Sequence, residues 1–92
     1  MKIFKYELEA TDVQTVSMPF AAEILSAQVQ HGRIRIWAKV DPTRDCEGRT
    51  IVIAGTGHEI NEPGGRLVFI DTVQLHGGSL VFHVFERVSI AY

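Results

Sequence analysis

Arg33, Arg35, Trp37 and Lys39 alternate with apolar residues, and residues two apart on a strand share a face. Guanidinium groups grip phosphate bidentately and an indole stacks on a nucleobase, so this stripe suits a nucleotide. The same spacing fits a solvated face whose indole packs on arginine stems, or an interface anchored by tryptophan. Gly55-Thr56-Gly57-His58 brings two close glycines, a hydroxyl and an imidazole. Glycine lets backbone N–H groups approach an anion, yet no Gly-Lys-Ser/Thr follows, so this is not a P-loop. A turn requiring positive φ explains the same residues. His76-Gly77-Gly78 carries both readings too: a tight hairpin turn, or backbone brought close to a ligand beside His76.

Catalytic and metal chemistry find less support. Glu59, Glu62, Asp71 and Glu86 are not paired by spacing, and no Ser-His-Asp arrangement is visible. His31, His58, His76 and His83 show no short metal-ligand spacing, and Cys46 has no partner thiol. Asp45 and Glu47 flank Cys46 and disfavour a thiolate. His83 alternates with Val81 and Phe85, which suits a partly buried, hydrogen-bonded imidazole. The expectation is a protein that is not an enzyme and carries no cofactor and no metal.

Period-two alternation broken by glycine turns positions these groups. Strands are predicted at Lys2 to Glu9, Val13 to Met18, Arg33 to Val40, Arg49 to Ala54, Arg66 to Leu75 and Ser79 to Glu86. Asp41 to Gly48 and Gly55 to Gly65 read as loops. Glu23 to Gln30 fits a strand and also a helix between Pro19 and Gly32; the strand is preferred because His31-Gly32 makes a hairpin turn into Arg33. The fold class is therefore all-β, a small antiparallel meander of about seven strands that forms a barrel or a sandwich. Residues 1–92 make a single β domain, with 87–92 as a strand extension or tail. The last strand is apolar on both faces: Leu80, Phe82 and Val84 on one, Val81 and Phe85 on the other. One belongs to the core, and the other calls for cover by a second subunit, a loop, or the Phe20-Ala21-Ala22 segment.

Hydrophobic residues make up 46% of the chain, enough for a small core and a subunit interface, so a homo-oligomer is expected. A formal net charge of −2 argues against bulk nucleic acid as a ligand. No apolar run approaches the ~20 residues of a membrane span, and the start of the chain lacks a signal-peptide core. No membrane partner is expected, and the single cysteine suits the reducing cytoplasm.

Several segments together resemble a known group. They are Lys2-Ile3-Phe4-Lys5-Tyr6-Glu7-Leu8, Ala27-Gln28-Val29-Gln30-His31-Gly32, Trp37-Ala38-x-Val40-Asp41-Pro42, Gly55-Thr56-Gly57-His58, and Leu75-His76-Gly77-Gly78-Ser79-Leu80-Val81-Phe82-His83-Val84-Phe85-Glu86. Over residues 1–86 the chain resembles a family of small single-domain proteins encoded by bacteriophages and prophages. That resemblance implies the cytoplasm of an infected host and carries few functional residues over to this chain. By size, kinship and expected oligomerisation, it is also similar to phage anti-CBASS sponge proteins, which hold cyclic-nucleotide immune signals without cleaving them. The resulting expectation is a phage accessory protein that sequesters a small anionic ligand. Arg33, Arg35, Trp37, Gly55, Thr56, Gly57, His58, His76, Gly77 and Gly78 would be the contacts, at a subunit seam. The alternative is a protein-interaction or structural module that binds a host or virion protein.

Overall fold

The computed structural model describes residues 1–60 and 65–89. Seven strands account for most of them: β1 (Lys2–Glu7), β2 (Val13–Pro19), β3 (Glu23–Gln30), β4 (Arg33–Val40), β5 (Cys46–Gly55), β6 (Arg66–Leu75) and β7 (Leu80–Val88). They form two antiparallel sheets, β1-β4-β3 and β2-β5-β7-β6. The choice between barrel and sandwich falls to the sandwich. Its Cα extents are 40 × 34 × 16 Å, the proportions of two stacked layers.

Alternation decides which face each strand buries. On β4, Ile34, Ile36, Ala38 and Val40 are all buried, while Arg33, Arg35, Trp37 and Lys39 face outward. On the opposing sheet, Ile51 and Ile53 of β5 and Val84 of β7 face inward. One core cluster gathers Leu8, Ala27, Ile34, Ile36, Ile51, Ile53, Val73 and Val84. A smaller one gathers Met18, Ala22, Ala38 and Val40, and Val16 and Ile24 pack against both. Burial also pushes the Tyr6 phenol above its usual pKa, with a smaller contribution from Cys46.

Glu23–Gln30 is a strand, as the hairpin at His31-Gly32 requires. His31 and Gly32 have φ of 53° and 74°, the two left-handed positions of a mirror-image turn. Several boundaries differ from the sequence reading by one or two residues, and the start of β5 by three. β5 begins at Cys46 rather than Arg49, because Cys46, Glu47 and Gly48 pair with Pro19, Met18 and Ser17. A polar stretch that reads as loop is thus held as strand by its neighbour. β7 runs on to Val88, paired with Arg66, so the extension past Glu86 that the sequence allowed is strand as far as Val88.

The two sheets meet along one side, where β3 packs against β6. Each strand carries an irregularity there, between Ile24 and Ser26 and between Phe69 and Asp71. An Asp71 carboxylate oxygen accepts the Ala27 N–H at 3.3 Å, so a side chain replaces a ladder partner. On the opposite side β1 and β2 are edge strands. At the end of the sandwich beside the β2–β3 turn, Arg49 donates to both carboxylate oxygens of Glu86 and to the Ala22 carbonyl. The Glu86 carboxylate holds the Arg49 guanidinium above its usual pKa. Among the described residues no helix is long and apolar enough to cross a membrane, which says nothing about membrane β-barrels.

Candidate functional site

Because β4 is the central strand of its sheet, its outward residues form the middle of a flat face. β1 adds Lys5 and Glu7, and β3 adds Glu23, Ser26, Gln28 and Gln30, each placed by cross-strand register. Trp37 lies between Lys5 and Ser26, and Arg35 between Glu7 and Gln28. Glu7 divides its carboxylate, with one oxygen 3.4 Å from Arg33 Nη1 and the other 3.2 Å from Arg35 Nη2. Lys39 pairs with Glu23 at 3.2 Å, and Lys5 Nζ donates to Gln30 Oε1 at 2.8 Å. Four cations (Lys5, Arg33, Arg35, Lys39) thus face two carboxylates (Glu7, Glu23), an excess of two positive charges on a chain of net charge −2. The Arg35 side chain is 18% exposed, and its Nε is buried without a hydrogen-bond partner. Arg33 stays open to solvent at 58%.

The glycine segments lie at one end of the other sheet. Gly55 pairs with Phe82, and Leu75 with Leu80, so both turns sit at the same end. Thr56 N–H donates to the Val81 carbonyl at 3.2 Å, and His58 N–H to the Gly55 carbonyl at 3.1 Å. These two amides are therefore spent on the turn rather than offered to an anion. A Cβ on Gly55 would lie 2.8 Å from His58 Nδ1, so glycine here makes room for the imidazole. His76, Gly77 and Gly78 have φ of 52°, 66° and 94°, a left-handed turn closed by Ser79 N–H and Oγ on the His76 carbonyl. The demand for positive φ accounts for both of its glycines.

His83, on the outer side of β7, is held at both nitrogens. Thr56 Oγ1 lies 2.7 Å from Nε2, and Thr72 Oγ1 lies 3.0 Å from Nδ1. The two hydroxyls fix the ring and tie the glycine loop to β7 and β6. A hydroxyl–imidazole pair is the first half of a nucleophile–base arrangement, but Nδ1 meets a neutral hydroxyl where a carboxylate would stabilise an imidazolium. The sequence reading anticipated a hydrogen-bonded His83 but not its partners, because Thr56 and Thr72 lie on different segments joined only by register.

The candidate residues therefore fall in two places. Arg33, Arg35 and Trp37 share the outer face of the three-stranded sheet. Gly55 to His58 and His76 to Gly78 share an end of the four-stranded sheet, which forms the opposite layer, and one subunit does not bring the two groups together. Of the carboxylates, Asp71 and Glu86 serve the structural contacts described above, Glu59 is exposed, and Glu62 lies outside the described residues. Among the described residues no three of His, Cys, Asp or Glu gather as a metal site.

The outward side of β7 is covered unevenly. Val52 and Ala54, beside it on the outer face of β5, are only 5% and 8% exposed. His58 and Ile60 line a pocket of about 400 Å³ with Val52, Ala54, Val13 and Arg87, so the loop after β5 supplies cover there. Farther across, Phe69 packs edge-on to Phe85 at 5.7 Å yet remains 57% exposed.

The model of a family described as Domain of unknown function (DUF7352) matches residues 1–91. The chain belongs to the DUF7352 family. No curated protein and no solved structure matches it. DUF7352 membership spans both the basic face and the glycine turns of this chain, since the match runs almost end to end.

Proposed function

We propose that this DUF7352 domain is a non-catalytic binding module that holds a small anionic, ring-bearing ligand on the outer face of its three-stranded sheet. The observation that carries this reading is the sharing of Glu7 between Arg33 and Arg35 beside Trp37. One carboxylate cannot neutralise two guanidiniums, so the pair keeps attraction for a phosphate, and the indole offers a stacking surface. Sequestration of a cyclic-nucleotide immune signal, in the cytoplasm of a phage-infected host, is the specific form supported by the phage resemblance. The test is native mass spectrometry and calorimetry of the purified chain with cyclic dinucleotides and cyclic ADP-ribose. The expected result is a ligand recovered intact after denaturation, with binding that weakens as salt rises. Arg35→Ala should reduce retention at least about tenfold while far-ultraviolet circular dichroism is unchanged, in line with the 1.5–3 kcal/mol typical of a charged hydrogen bond. Equal retention by Arg35→Ala would remove this face from the site.

A second reading is a protein-interaction module, favoured by the exposure of Phe69 on the other sheet. Its mark would be a stoichiometric protein partner lost on Phe69→Ser, with no small molecule bound.

A further inference from the structure

The four strands that border the two sheets are treated differently. Edge strands expose unpaired N–H and C=O groups and usually carry charges, bulges or cover that prevent further pairing. β3 and β6 are each irregular and pack on each other, with Asp71 capping the Ala27 amide. β1 carries Lys2, Lys5 and Glu7. Just past its end, the Gln14 side chain accepts from Glu9 N–H at 2.9 Å and donates to the Glu9 carbonyl at 2.8 Å, so the edge does not continue beyond the strand. β2 reads Val13-Gln14-Thr15-Val16-Ser17-Met18-Pro19, with no charge and no irregularity in its register.

Backbone polarity shows which β2 groups are open. Asp12 C=O accepts from Ile53 N–H, and Phe20 N–H donates to the Asp45 carbonyl. Backbone groups alternate sides along a strand, so the even-numbered residues between them face β5. Val13, Thr15 and Ser17 therefore direct their N–H and C=O away from the sheet, and all three are exposed. Pro19 has no N–H and ends this donor row.

We propose that the free edge of β2 pairs antiparallel with β2 of a second copy of this chain, about a two-fold axis beside Thr15. In that register Thr15 faces Thr15 of the second copy and Val13 faces Ser17. The three exposed residues then exchange N–H···O=C bonds, and the two four-stranded sheets become one continuous sheet. What favours a second copy as occupant is self-complementarity. No like charges meet, Thr–Thr is a favourable cross-strand pair, and the half-exposed Val13 gains a neighbour. The same operation centred on Lys5 of β1 would set two ammonium groups against each other. The seam lies on the sheet opposite the basic face, so this inference stands or falls separately from the ligand reading.

Sedimentation and native mass spectrometry of the full chain at micromolar concentration should show a dimer. The Val13, Thr15 and Ser17 amides should be protected from hydrogen exchange in that dimer. Thr15→Lys places like charges at the axis and should weaken dimerisation at least about tenfold, leaving a folded monomer whose three amides exchange rapidly. Mixing Thr15→Lys with Thr15→Glu chains should restore a dimer containing one of each, because only this register sets residue 15 against itself. A monomeric wild-type chain, or a dimer indifferent to Thr15→Lys, would overturn the proposal.

Discussion

Arg49 shows how much a single side chain can join. It lies on the inner side of β5, 17% exposed, and reaches Glu86 on β7 and the Ala22 carbonyl before β3. Truncating one partner of such a pair leaves a largely buried charge uncompensated, whereas replacing both with apolar groups removes the desolvation cost. Arg49→Ala is therefore expected to lower unfolding free energy by about 3 kcal/mol, read as a fall in the denaturant midpoint at constant slope. Arg49→Met combined with Glu86→Leu should recover more than half of that loss. An additive double mutant would show that the two groups act independently.

At the scale of the element, the seam between β3 and β6 is closed by a side chain rather than by a ladder. Asp71→Ala would strip the Ala27 amide of its acceptor at a part-buried position. The expected destabilisation is about 1–3 kcal/mol, the cost of an unsatisfied buried donor. Hydrogen exchange at Ala27 should accelerate more than at Ile36 on the neighbouring strand, since the opening is local. The other Asp71 oxygen accepts the Thr72 N–H at 3.0 Å, so Asp71→Asn, with one acceptor oxygen for two donors, should retain only part of the protection.

The whole molecule is thin, and its two core clusters share Val16 and Ile24. That sharing should make it unfold as one unit despite its two sheets. Ile36 is fully buried on the central strand of the three-stranded sheet. Ile36→Ala is expected to cost about 3 kcal/mol from lost burial and residual cavity, with fluorescence of Trp37 and far-ultraviolet circular dichroism melting together. Separate transitions would mean that the sheets fold independently.

By itself, the amino-acid pattern determined the β character of the chain, most strand positions and the outward stripe of Arg33, Arg35, Trp37 and Lys39. Period-two alternation and glycine turns act locally, and a strand's two faces are set by its own residues. Only the tertiary structure decided the strand order, the sandwich, the start of β5 at Cys46 and the partners of each polar group. Glu7 divided between two arginines, His83 between two threonines, and Arg49 against Glu86 all depend on register between segments distant in the chain. The glycine turns and the arginine stripe fall on opposite layers for the same reason. Alternation says which way a side chain points, but only strand pairing says what it meets.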